Sequence, residues 1–432
     1  MVHAPNEISD NAPWYAGVTR YQWIVLAIAA LGWSFDQYET QIFVMTKDWM
    51  VSEVQQVHGA AVDQWVEQLS AYFLLGSALG GLIAGSLADR FGRRPLLIGT
   101  ILFYSIFAGL TYFATDFWQL AIIRLLVAAG TGGEWVVGAS LVAEVFPKRS
   151  RAYAAGIFHG AGVLGYWTAA IVSMAIGSQW RLAYLVGVLP ALLTVWILTR
   201  VHEPERWQNA VAHTHRATNE RLGSFFELLQ TPQWRRHAIL GCALAAVGLG
   251  TFWSVMTAGK DLTRDMLLRH GFSPGIVDER ATFAYGIIQT AGSALGFLSF
   301  GPISTRLGRR LSFVIFHLLA FAIVPIVCFL PQTYSQMLIL LPIFGFLTIG
   351  FHSGYAMYFP ELFPTHLRAT GTSFCFNGGR IVAIPVMILS SWLKRPGGIG
   401  LQWSVTALST LFLLGAVIVL FLPETYRKDL PE

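Results

Sequence analysis

The sequence predicts an all-α membrane protein, with twelve transmembrane helices in two six-helix pseudo-repeat bundles. Three observations carry this. The chain has 432 residues, 54% hydrophobic and 12% charged, where a soluble protein is nearer a quarter charged. Its apolar residues fall in runs of about 20, the length a helix needs to cross a bilayer core. A charged turn between two such runs, Gly85-Ser-Leu-Ala-Asp89-Arg90-Phe-Gly92-Arg93-Arg94, returns half a chain later as Gly301-Pro-Ile-Ser-Thr305-Arg306-Leu-Gly308-Arg309-Arg310.

Taken in order, the runs are 21–45, 66–88, 95–114, 118–143, 152–176, 181–200, 236–258, 282–302, 311–330, 334–357, 367–392 and 400–422. Three of them, the fourth, fifth and eleventh, contain ionisable residues. The short loops on either side still require a span there, because a backbone in lipid must satisfy its own hydrogen bonds. Most Lys and Arg fall in the turns on one side, including Arg20, the 90–94 turn, Lys148, Arg149, Arg151, the 306–310 turn, Arg368, Arg427 and Lys428. The positive-inside rule then places both termini in the cytoplasm. The expected division is an N-terminal bundle (1–200), a linker (201–235) and a C-terminal bundle (236–432).

The linker is polar. Leu222, Phe225, Phe226 and Leu229 stand at helical spacing ahead of Trp234-Arg235-Arg236, which reads as a short interfacial helix with an aromatic and basic anchor. His202, His213 and His215 lack the Cys or carboxylate pattern that would complete a metal site, so a solvated linker is expected. The segment 46–65 reads as an external loop. Cys242, Cys328 and Cys375 lie far apart within apolar runs, with neither disulfide nor metal spacing. The N-terminal segment lacks a cleavable signal pattern. No metal or cofactor is expected, nor nucleic-acid binding, since the positive-inside bias explains the basic turns. No enzyme motif stands out. A monomer in a cell membrane, the bacterial inner membrane, is the expected setting.

A second pair of marks supports duplication: Glu144-Val-Phe-Pro147 with Arg151 recurs as Glu361-Leu-Phe-Pro364 with Arg368. Parallel six-helix repeats are one of the secondary-transporter plans. On these residues the chain resembles the major facilitator superfamily, whose signature turn reads Gly-x-x-x-Asp-Arg-x-Gly-Arg-Arg. Arg124 with Gly130 and Gly132 is similar to its fourth-helix motif. Gly132-Gly133-Glu134-Trp135 and Asp36-Gln-Tyr38-Glu39 resemble the branch of sialate, lactate and aromatic-acid proton symporters, with Gln37 where Gly is usual. The paired seventh-helix glutamines of sugar porters are absent; that span reads Leu249-Gly-Thr251-Phe-Trp253-Ser254.

The resemblance implies alternating access and proton-coupled symport of a small organic carboxylate. A proton-coupled sugar or polyol porter and a drug or metabolite exporter are the alternatives, and a non-transporting membrane sensor is the reading from another class. The resemblance also implies that Asp89 anchors a neighbouring helix end. Arg90, Arg93 and Arg94 would then hold the inner face shut through ion pairs, with Gly85, Gly92, Glu144, Arg151, Arg306, Arg309, Glu361 and Arg368 in the same gate. Thr305 replaces Asp89 in the second copy, so the second turn keeps the cations and lacks that anion.

Ionisable residues inside a membrane mark functional sites by default. Asp36 and Glu39 are three apart and share a helix face. They lie at the depth of Arg124, and the resemblance places the first and fourth helices on the cavity. Two carboxylates beside one Arg make a candidate proton and substrate site; a structural ion pair between the two helices is the competing reading. Glu134 faces a second cationic group or caps a Gly-rich bend. Arg380, in Asn377-Gly-Gly-Arg380, is a fixed cation suited to an anion, or a partner for another helix. His159 and His352 are candidate proton relays or packed residues. Tyr38, Trp253, Tyr285, Gln289 and Tyr355 are candidate cavity lining. Gly76, Gly80, Gly81 and Gly85, and Gly156, Gly160, Gly162 and Gly165, permit close helix approach.

Overall fold

The computed structural model describes residues 12–57, 60–176, 179–214, 221–395 and 397–431. His215 of the linker lies outside them. Two helical bundles are joined by a short helical connector. The N-terminal bundle comprises α1 (Arg20–Gln55), α2 (Ala60–Phe91), α3 (Arg93–Thr111), α4 (Phe117–Val145), α5 (Lys148–Ile176) and α6 (Trp180–Arg200). The connector carries α7 (Glu205–Thr214) and α8 (Phe225–Gln230). The C-terminal bundle comprises α9 (Pro232–Arg269), α10 (Pro274–Leu307), α11 (Arg309–Phe329), α12 (Tyr334–Glu361), α13 (Thr365–Lys394) and α14 (Leu401–Leu420).

Among the described residues, 11 helices are long and apolar enough to cross a membrane. The twelfth, α1, has the length but is more polar, since Asp36, Gln37, Glu39, Lys47, Asp48 and Glu53 all lie on it. The polar side chains that dilute its span signal are the ones it carries into the protein interior. α1 also runs further than the sequence predicts, to Gln55, through half of the expected external loop. Glu53 holds this extension to the base of α6: it accepts from Trp180 Nε1 at 2.6 Å and pairs with Arg181.

Helix starts follow their side chains. Thr19 and Gln22 form a reciprocal capping box on α1, and Thr333 with Gln336 repeats it on α12. Asp116 accepts from the backbone of Trp118 and Gln119 at the start of α4. Each such cap contributes on the order of 1 kcal/mol.

Several helices are interrupted at mid-height, among them α5, α9, α10 and α12. α5 breaks between Gly160 and Gly162. α9 and α10 each contain a widened π turn, at Phe252–Met256 and Ala284–Gln289, and α12 narrows to a 3₁₀ turn at Gly350–His352. Such irregular turns cluster at functional sites. Here Trp253, Tyr285, Gln289 and His352 sit on them and His159 sits beside one.

The connector is bound to both bundles. Ser86 on α2 donates to the Gly223 carbonyl, and the Gly223 N–H donates to the His366 carbonyl at 2.9 Å. Of the residues predicted to form an amphipathic face, Phe225 packs against the core, while Phe226 and Leu229 are exposed.

Candidate functional site

A cavity of about 310 Å³ lies between the two bundles. The N-terminal bundle lines it with α1 (Trp33, Asp36, Gln37, Thr40, Lys47), α2 (Phe73, Ser77) and α5 (His159). The C-terminal bundle adds Phe252 and Trp253 of α9, Phe297 of α10, His352 of α12, and Phe376 and Arg380 of α13. Trp33 and Lys47 are fourteen positions apart on one helix, so the cavity runs roughly 20 Å along α1. Its floor is closed by Trp135 of α4 stacked on Phe376, with ring centroids 3.8 Å apart.

The lining combines aromatic rings with polar side chains and three charged residues, Asp36, Lys47 and Arg380. Arg380 donates to Ser77 Oγ across the bundle interface and to Asn377 Oδ1 at 2.9 Å, and its guanidinium lies over the Phe376 ring. Asn377 thus serves Arg380 from behind and is not itself a lining residue. Asp36 interacts electrostatically with Arg380 from the opposite bundle. One of its oxygens accepts from Thr40 at 3.4 Å, and the other has no partner.

The expected cluster of two carboxylates beside Arg124 does not form. Glu39 turns away from Asp36 and pairs with Arg124 at 3.1 Å, both side chains fully buried. Tyr184, Phe43 and Phe73 stand over the guanidinium, at 4.6, 5.5 and 5.7 Å. Phe43 and Phe73 also line the cavity, so they separate it from the pair. The physical reason is angular. Positions three apart on a helix are offset by about 60°, enough at an inter-bundle seam to send one side chain to the cavity and the other to α4. The pair is not saturated: Glu39 Oε1 and the Arg124 Nε and Nη1 have no partners.

Glu134 faces no cation. It is fully buried, and neither carboxyl oxygen has a partner. α1 passes directly over it, so that a Cβ on Gly32 would lie 2.5 Å from its Oε1. Tyr38, Gln289 and Tyr355 also lie outside the cavity. Each donates to a backbone carbonyl, of Ala183, Met256 and Leu244 respectively, because a buried polar side chain satisfies itself on the nearest free acceptor. Tyr285 packs against a small cluster around Val163 and Met256. Of the predicted lining, His159, Trp253 and His352 reach the cavity.

The opposite end of the seam is closed by a duplicated ion-pair network. In one copy, Arg93 pairs with Glu144 (2.8 Å) and Asp89 (3.0 Å), and Arg368 from the other bundle joins Glu144 at 2.9 Å. In the second, Arg309 pairs with Glu361 (3.1 Å), and Arg151 crosses over to Glu361 at 3.7 Å. Asp89 also accepts from the backbone N–H groups of Ala369 and Thr370, at 3.1 and 2.8 Å, and from the Thr370 hydroxyl at 2.6 Å. It therefore caps α13 of the opposite bundle, where the helix dipole favours an anion. Its counterpart Thr305 donates locally to the Pro302 carbonyl at 2.8 Å and makes one long contact across the seam, 3.4 Å to the Tyr153 hydroxyl. Arg90, Arg94 and Arg306 make no ion pair among the described residues. Arg90 and Arg94 donate to the carbonyls of Leu222 and Leu198, while Arg306 is exposed.

Two residues of this network are absent from the sequence-based expectations. Glu203 accepts from the backbone N–H of Arg93 and Arg94, and Glu424 does the same for Arg309 and Arg310. Each caps the helix that follows a signature turn. Burial pushes the Glu203 carboxyl above its ordinary range, and those N–H donors pull it back in part. Both lie beside a proline at the end of a bundle, Glu203-Pro204 and Pro423-Glu424, which was the available signal. The turn glycines take left-handed backbone angles, φ 106° at Gly92 and 87° at Gly308. A Cβ there would meet those capping carboxylates at 2.5 and 2.9 Å, so the turn requires glycine.

The chain resembles known proteins along almost its whole length. It is 27% identical to the niacin transporter NiaP of Acinetobacter baylyi, over 98% of this chain and 97% of that one. It is 23% identical to the sialic acid transporter NanX of Escherichia coli (96% and 98%) and 26% identical to the cis,cis-muconate transport protein of Acinetobacter baylyi (82% and 84%). Among solved structures, a proton:xylose symporter with 6-bromo-6-deoxy-D-glucose bound superposes with a TM-score of 0.75 at 18% identity, covering 95% of this chain and 98% of that one. The human organic anion transporter MFSD10 gives 0.69 at 15% (92% and 99%). The Major Facilitator Superfamily profile matches residues 22–374. With the duplicated bundles and the repeated charged turns, that match shows that the chain belongs to the Major Facilitator Superfamily of membrane transporters.

Proposed function

We propose that this protein is a proton-coupled symporter that carries a small organic carboxylate by alternating access. The observation that carries the reading is Arg380. It is a fixed cation, held by Ser77 and Asn377 in a cavity rich in aromatic rings, opposite an incompletely partnered Asp36. A guanidinium matches a carboxylate in geometry as well as charge. Trp33, Phe73, Phe252, Trp253, Phe297 and Phe376 suit a planar apolar body on that carboxylate. The relatives named for niacin, muconate and sialic acid support an organic acid.

Positive-inside bias supports a cytoplasmic position for the closed ion-pair network, and with it the reading of this conformation as outward-facing. In the proposed cycle, a substrate carboxylate on Arg380 replaces the field of Asp36, which takes a proton. The Glu39–Arg124 pair between α1 and α4 responds to the same charge change. The bundles 1–200 and 236–432 then rock about the seam, with 201–235 tying them. A sugar-porter reading has less support, since the paired seventh-helix glutamines of sugar porters are absent from this chain.

Uptake into proteoliposomes tests this. A panel of small carboxylates is expected to accumulate faster under an inward proton gradient, and Arg380→Ala should lower uptake at least tenfold with the protein folded. No response of any carboxylate to the gradient would sink the proposal.

A further inference from the structure

The floor of the cavity shows a fixed pair of hydrogen-bonding groups, one from each bundle. The Trp135 indole N–H, which can only donate, points at His159 Nδ1 at 3.3 Å. His159 Nδ1 must therefore accept, and in the neutral ring the N–H sits on Nε2. His352 Nε2 lies 3.2 Å from the Gly248 carbonyl, which can only accept. There the N–H is on Nε2, and Nδ1 keeps a lone pair. The remaining nitrogens, His159 Nε2 and His352 Nδ1, have no hydrogen-bond partner among the described residues. Unlike His317 Nε2, which is sealed in the packing, neither is a sealed orphan. Both rings line the cavity and interact electrostatically across the seam. Both stand at helix interruptions, His159 before the break in α5 and His352 in the 3₁₀ turn of α12.

We propose that His159 and His352 form a second recognition point, for a hydroxyl group carried by the substrate. A hydroxyl has one proton to give and lone pairs to receive. His159 Nε2–H donates to its oxygen, and its proton goes to His352 Nδ1. The inference rests on the carboxylate reading above and narrows it to hydroxylated carboxylates. Because the two histidines come from opposite bundles, one hydroxyl ties the halves together at the floor.

Binding to the purified full chain, followed by intrinsic tryptophan fluorescence, tests it with benzoate, its three monohydroxy isomers and their methoxy counterparts. At least one hydroxy isomer should bind about tenfold or more tighter than benzoate, as sites built to pair a hydroxyl discriminate against its absence. Its methoxy counterpart, which accepts but cannot donate, should lose most of that gain. His352→Phe should erase the gain, so that the hydroxy isomer binds no tighter than benzoate. The wild-type comparison needs no variant. If every acid binds equally, this inference falls and the carboxylate reading stands. If no acid binds, or if binding ignores Arg380→Ala, both fall.

Discussion

Glu39 and Arg124 show what a single pair of buried charges can and cannot do. Separated from the cavity by Phe43 and Phe73, they hold α1 to α4 with one 3.1 Å contact and leave three polar atoms without partners. Taking two charges out of water costs so much that such a pair adds little net stability, yet losing one partner strands the other. Arg124→Ala is therefore expected to destabilise the protein by about 3–5 kcal/mol, and the double change Glu39→Met with Arg124→Met to recover most of it. Thermal melts of the detergent-purified variants measure this. Equal losses in the single and double variants would show that the pair has no such coupling. The histidines make the complementary point: each is defined less by its own chemistry than by the donor-only or acceptor-only group behind it.

At the level of the helix, the glycines of α2 divide into two kinds. A Cβ on Gly80 would lie 2.2 Å from the Ala129 carbonyl oxygen on α4, within the same bundle. A Cβ on Gly85 would meet Ser373 and the Ala369 carbonyl oxygen, at 2.4 and 2.7 Å, on α13 of the opposite bundle. Both helices approach closely because no side chain intervenes, but only the second contact has to part when the seam opens. Gly80→Val should therefore abolish folded expression. Gly85→Val should fold and shift the population toward the state open at the ion-pair end. Labelling of a cysteine placed in the 365–368 turn reads the difference; equal expression and equal labelling in the two variants would contradict it.

Across the whole molecule, the two bundles are copies that diverge at one position of the gate. Each copy offers an Arg, a Glu and a crossing Arg from its partner bundle, and only the first adds an acid that caps the opposite bundle's helix. Asp89→Ala removes three hydrogen bonds across the inter-bundle seam and an ion pair to Arg93 of its own bundle. Thr305→Ala removes one local hydrogen bond and a single 3.4 Å contact across the seam. The Asp89 variant should raise cytoplasmic cysteine accessibility several-fold, and the Thr305 variant should leave it near wild type. Matching behaviour in the two would mean that the asymmetry carries no conformational weight.

The spans, the duplication and the charged turns were legible in the sequence because each is local. A run of about 20 apolar residues, a Gly at a left-handed turn and a basic bias on one side need no knowledge of what lies opposite. The partners were not legible. Asp89 meets Thr370, and Arg93 meets Glu144 and the Thr365 carbonyl, through contacts between segments distant in the chain. Only tertiary packing sets them face to face, within one bundle for Arg93 and Glu144 and between the two bundles for the others. The same holds for Asp36 and Glu39. The sequence by itself determined that both are buried in a membrane helix. Tertiary structure alone decided that one faces the cavity and the other an arginine, because a 60° offset acquires meaning only once the neighbouring helices are in place.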